Sequence, residues 1–211
     1  MRKVINAVYA FLSFLVVASV PSHSDELLEQ FPDTELLDRI VEGGFVLYFR
    51  HAETDTGTPD QPEIDHDDCS TQRSLNDDGR RSMQEVGQHL VQLGWSATVD
   101  EVIVSPFCRT RDSASLLFPD HTQRVDHLQM YTASLTSEQK APINERTRSL
   151  LSRAVPVGRN RVIVAHGPNI AEIMDYFPDE GALMIFWPEG DQFRYLATIR
   201  VDQWARILDS R

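Results

Sequence analysis

Val46-Leu47-Tyr48-Phe49-Arg50-His51-Ala52-Glu53-Thr54 starts as an apolar run and turns abruptly into an Arg-His pair. The apolar part reads as a strand buried on both faces, the pattern of a parallel sheet. In open α/β sheets, ligands bind just beyond the carboxyl ends of the strands, so Arg50 and His51 stand where chemistry usually sits. An imidazole beside a guanidinium suits nucleophilic attack on phosphate, with the anion clamped by a fixed positive charge.

Outward from this run, strand and helix alternate. An amphipathic helix over about 33–41 ends at Gly43-Gly44 and feeds the first strand. A long polar segment, 53–73, follows the Arg-His pair. Asn76-Asp77-Asp78 marks a helix start, and Met83, Val86, Leu90 and Leu93 form one face of a helix that Gly94 stops. Further strands are expected at 99–104, 124–130 and 161–165, with helices before Pro119, over 137–155 and over 169–176. A closing hairpin joins 182–187 to 194–201 across Pro188-Glu189-Gly190-Asp191. This order predicts one α/β domain with a largely parallel sheet covered on both faces. Trp187 and Trp204 are expected to pack in its core.

The first residues stand apart from that domain. Arg2 and Lys3, an apolar run over 4–20 and the small residues of Ser22-His23-Ser24 form a secretory signal pattern. It divides the chain into a signal peptide, 1–24, and a domain, 25–211, and predicts a periplasmic or secreted protein. An uncleaved anchor is the competing reading, and only then would a membrane be a partner. Removing 1–24 takes away two cations and no acid, so the net charge moves from −12 to −14. So acidic a surface excludes broad contact with nucleic acid, and any phosphate site must be a local basic pocket. In an exported chain the two cysteines, Cys69 and Cys108, read as a disulfide, with two buried free thiols as the alternative.

Two more strand ends carry candidate chemistry. Ser105-Pro106-Phe107-Cys108-Arg109 follows the second strand and His166-Gly167 follows the fourth. A lone His is more often a hydrogen-bonded structural residue, and a lone Arg a surface ion pair. Arg50, His51, Arg109 and His166 at three strand ends together make a pocket for a dianionic phosphate. The arginines and His166 would hold the non-bridging oxygens. Their charge would also keep His51 neutral and able to attack. The scheme needs no metal.

In that order these blocks resemble the histidine phosphatase superfamily, the phosphoglycerate mutase-like group. Arg50-His51-Ala52-Glu53-Thr54 matches its Arg-His-Gly signature with Ala in third place. Leu75-Asn76-Asp77-Asp78-Gly79 resembles its next block. Ser105-Pro106-Phe107-Cys108-Arg109-Thr110 resembles the segment with the second arginine, which points to Arg109 and not Arg111. Val162-Ile163-Val164-Ala165-His166-Gly167 resembles the strand with the second histidine. The resemblance spans about 46–204 and implies a three-layer α/β/α sandwich without cofactor. It also implies that His51 is phosphorylated while Arg50, Arg109 and His166 bind the phosphoryl group. The signal pattern and cysteine pair make the chain look like the small exported members, phosphoric monoester hydrolases of the histidine acid phosphatase type acting on small phosphorylated substrates.

The resemblance breaks at the general acid. Many members have a Glu soon after the third strand, where this chain reads Asp126-His127-Leu128-Gln129-Met130-Tyr131. Asp126, Glu53 and Glu180 are the candidate acids. Without one, the enzyme would favour good leaving groups, such as phosphohistidine or aryl phosphate. Asp60, Glu63, Asp65, His66, Asp67 and Asp68 form an acidic segment that lacks EF-hand spacing, so a solvated loop over the pocket mouth is expected there, with no metal. Two other readings stand beside the hydrolase: a non-catalytic phospho-ligand binding protein with the same pocket, and an enzyme of phosphohistidine signalling.

Overall fold

The computed structural model describes residues 29–209. The expected signal segment, 1–24, lies outside the described residues. The first element among the described residues is helix α1 (Thr34–Arg39), whose N-cap Asp33 side chain accepts from the Leu36 amide at 2.8 Å. Strands β1 (Val46–Arg50), β2 (Val99–Val104), β3 (Gln123–Val125), β4 (Asn160–Ala165), β5 (Leu183–Pro188) and β6 (Phe193–Ile199) form one sheet in the order β3-β2-β4-β1-β5-β6. The pairs β3-β2, β2-β4 and β4-β1 are parallel, while β5 and β6 close the sheet as an antiparallel hairpin.

The middle of the sheet is apolar on both faces, as the unbroken run at β1 predicts. Leu47 and Phe49 point into one core, with Met83, Val86 and Leu90 of α2 (Asp77–Gln92), Ala114 and Leu117 of α3 (Cys108–Leu117), and Trp204 of α6 (Trp204–Asp209). Val46 and Tyr48 point into the other, with Leu150 and Leu151 of α4 (Ser137–Ser152) and Ile170 and Ile173 of α5 (Gly167–Met174). The result is a three-layer α/β/α sandwich. Trp204 is buried as expected, whereas Trp187 is only partly covered, its ring edge-on to Phe45.

Three boundaries differ from the sequence reading. The third strand stops at Val125 because the Asp126 carboxylate accepts from the Leu128 amide and turns the chain into a short 3-10 segment. Helix α4 ends at Ser152, three residues short of 155. There the buried Arg161 side chain takes the carbonyls of Leu150, Arg153 and Ala154. Helix α5 begins at Gly167, directly after His166, because Pro168 suits the first turn of a helix.

The polar segment after β1 is ordered by contacts at both ends. Thr54 bridges Leu75, and Asn76 caps α2 while its amide group donates to Glu53 Oε1 at 2.7 Å. A Cβ on Gly79 would lie 2.2 Å from the Glu53 carbonyl oxygen, so glycine is required where α2 meets the signature loop. At the far end Cys69 and Cys108 form a disulfide that ties the segment to the start of α3. A cross-link spanning 39 residues stabilises the fold by about 4 kcal/mol in the chain-entropy model. Replacing both cysteines by serine should lower the melting temperature by roughly 10 °C in calorimetry; an unchanged melting temperature would show that the loop is held without it.

Candidate active site

Because β2, β4 and β1 are neighbours, their carboxyl ends deliver Ser105, His166 and His51 to one spot. The His51 amide donates to the Ala165 carbonyl at 3.0 Å, and the Ser105 amide to that of Val164 at 3.0 Å. The two imidazole centroids lie 5.4 Å apart. His51 Nδ1 lies 2.8 Å from the Ala52 carbonyl oxygen, which fixes the proton on Nδ1 and leaves the Nε2 lone pair free. Ser105 Oγ sits 2.8 Å from His166 Nε2, and buried Tyr48 donates its hydroxyl hydrogen to the His166 carbonyl at 2.9 Å. His166 Nδ1 is buried with no acceptor among the described residues.

The arginines surround this pair. Arg109 enters from the first turn of α3, 0% exposed, with its guanidinium carbon 4.3 Å from the Phe107 ring centroid. Arg50 donates to the Pro178 carbonyl at 2.7 Å and pairs with Glu180 at 3.1 Å. Arg111, by contrast, donates to the His66 carbonyl and serves the loop. A third arginine, Arg73, joins the cluster, 3.9 Å from Glu180. No motif singled it out, since it ends a polar stretch; its place two residues before the Leu75 block is the only signal. Arg50 Nε, Arg73 Nε, and Arg109 Nε and Nη2 are buried without an acceptor among the described residues. Leaving a buried donor unpaired costs about 1–3 kcal/mol, so such a cluster is built to receive an anion.

The charges set the state of the histidines. Burial first, then the Arg109 charge, holds both His51 and His166 well below the usual imidazole range. Arg50 and Arg73 push both rings the same way, and the His51 ring adds to the effect on His166. Both rings are therefore neutral near pH 7.

The acids are distributed differently from expectation. The Asp126 carboxylate is taken up by Arg146 at 2.7 Å, by Arg124 at 3.6 Å and by the Leu128 amide, none of them a pocket residue. Glu53 accepts from Asn76 and braces the signature loop. Glu180 does reach the pocket, through Arg50, Arg73 and the Thr54 hydroxyl and amide. Asp60, read from sequence as part of a solvated loop, turns inward: its Oδ1 accepts from Arg109 Nη1 at 3.0 Å and from the Arg73 amide at 2.7 Å. Among the described residues no group of acids, histidines and cysteines is arranged to hold a metal ion.

Two measurements follow. In a proton-NMR titration the His51 and His166 rings should stay neutral down to well below pH 6.5. A depressed folded-state pKa means that the unfolded chain binds more protons just below that pH, so stability should fall as pH drops through and below about 6.5. A ring titrating at or above 6.5 would contradict the electrostatic picture. Asp60→Asn removes a negative charge beside Arg109 and should tighten tungstate binding about tenfold by calorimetry; weaker binding would mean that Asp60 chiefly orients Arg109.

No protein-family model and no curated protein matches the sequence. Solved structures do match. The protein histidine phosphatase SixA complexed with tungstate is 14% identical, with a TM-score of 0.53, covering 75% of this chain and 98% of its own. A mycobacterial glucosyl-3-phosphoglycerate phosphatase in complex with VO3 is 17% identical, with a TM-score of 0.53 and coverages of 74% and 98%. A phosphoserine phosphatase variant from Entamoeba histolytica, in complex with phosphoserine, is 12% identical, with a TM-score of 0.52 and coverages of 74% and 97%. At these identities the likeness establishes the fold, and the chain has the fold of the histidine phosphatase superfamily.

Proposed function

We propose that the protein is an exported phosphatase that hydrolyses small phosphomonoesters through a phosphohistidine on His51. The observation that carries this reading is the convergence of two neutral histidines with arginine donors that have no protein acceptor. The likeness to folds that hold tungstate and VO3, both phosphate-like oxyanions, supports the same assignment. The Cys69–Cys108 disulfide and the signal pattern of 1–24 support export to the periplasm or beyond the cell.

In this mechanism Arg50, Arg73, Arg109 and His166 Nδ1–H hold the phosphoryl oxygens. His51 Nε2 attacks phosphorus in line as the bond to the leaving oxygen breaks. The incoming phosphate dianion displaces the Asp60 carboxylate from Arg109, Asp60 takes up a proton from solvent at the mouth of the open cleft, and it passes that proton to the leaving oxygen. Water then gives its proton back to Asp60 and attacks phosphorus, releasing inorganic phosphate and restoring His51. Glu180, flanked by Arg50 and Arg73, holds those two arginines in place.

Hydrolysis of p-nitrophenyl phosphate in the presence of EDTA tests the reading. The wild type should turn over, and His51→Ala should lose at least a thousandfold in kcat. A folded wild type that binds tungstate without any turnover would instead identify a phospho-ligand binding protein. Asp60→Asn should lower kcat for an alkyl phosphate at least tenfold more than for p-nitrophenyl phosphate, whose leaving group needs little protonation. An equal loss on both substrates would remove Asp60 from the proton transfer.

A further inference from the structure

A cleft of about 400 Å³ opens directly off the phosphate pocket, between the 60–66 loop and the 130–135 segment. Its inner end is shared with the site. The Phe107 ring lies 5.0 Å from His166 and 4.8 Å from His66, so one side chain floors both pocket and cleft. Tyr131 does the same on the opposite side, 5.5 Å from the His166 ring and 5.6 Å from the Arg109 guanidinium. Beyond them the walls are mainly carbon, from Ile64, Met130 and Leu135.

The cleft is also preformed. The disulfide ties one end of its loop to α3, Arg111 holds the His66 carbonyl at 2.8 Å, and Gln72 donates to the Asp65 carbonyl at 2.8 Å. Glu63, Asp65, Asp67 and Asp68, in the same segment of chain, are all exposed. Gln61, His66 and Ser134 are polar points in this mainly apolar wall, and the Asp60 carboxylate beside Arg109 disfavours an anionic tail by charge. The cleft accepts an uncharged apolar group attached to a bound phosphate.

We propose that this cleft is the subsite for the rest of the substrate, and that it selects phosphomonoesters of uncharged aryl or short alkyl groups. The proposal rests on the assignment of the phosphate pocket, and it separates from the catalytic reading by experiment. Phenyl phosphate and 4-butylphenyl phosphate have leaving groups of similar basicity and differ in the apolar tail. KM should be about tenfold lower for the butyl compound. Titration of phenylphosphonate and 4-butylphenylphosphonate, neither of which can be hydrolysed at its carbon–phosphorus bond, should show the same preference in Kd. Ile64→Asp should abolish the preference in both series, and Leu135→Ser, at a second point of the wall, should reduce it.

Equal Kd values for the two phosphonates, or a preference untouched in both variants, would overturn the subsite. Hydrolysis of both phosphates with equal KM would overturn it too, while leaving the phosphatase intact. A tenfold phosphonate preference without hydrolysis of either phosphate would establish the cleft and defeat the phosphatase assignment.

Discussion

Parallel pairing of β1 with β4, in the register that sets Arg50 opposite Ala165, controls the rest of the molecule. The last bond of that ladder runs from the His51 amide to the Ala165 carbonyl, so His51 and His166 leave adjacent strands at the same level. A one-residue slip would turn His51 to the other face of the sheet and exchange the two cores. The register is held because Val46 and Tyr48 belong to one apolar layer while Leu47 and Phe49 belong to the other. Packing on both sides of a single strand thereby positions His51 beside His166.

The site stores electrostatic tension that the surrounding structure withstands. Arginines 50, 73 and 109 lie close enough that each lowers the proton affinity of the neighbouring histidines. Glu180 and Asp60 offset part of that charge from opposite sides, Glu180 at Arg50 and Arg73, Asp60 at Arg109. The remaining buried N–H groups have no acceptor among the described residues, an arrangement that favours an incoming oxyanion over water. In a strongly acidic chain, these three arginines make a local basic pocket.

Much of the fold was legible before the structure. The apolar runs at 99–104 and 161–165, and the Asn76 cap with its following face, match β2, β4 and α2 closely because burial periodicity and capping act over a few residues. Arg50, His51, Arg109 and His166 were legible because each sits beside a strong strand signal or a motif. Asp126 was a poor guide: its position after β3 suggested the pocket, but Arg146 and Arg124 claim its carboxylate. Arg73 and Asp60 could not be found from local pattern, since both lie in a polar segment whose path is set by contacts distant in sequence.

The order of elements, the two buried faces of β1, the strand-end cations and the cysteine pair were determined by the sequence alone, because they follow from local hydrophobicity, capping and residue chemistry. Only the tertiary structure decided which carboxylates face the pocket, which third arginine joins it, and which cleft opens beside it. Those outcomes depend on how the 53–73 segment folds back over the sheet edge, fastened by Gly79 under the signature loop and by Cys69 against Cys108. Contacts between residues far apart in the chain leave no periodic trace in it.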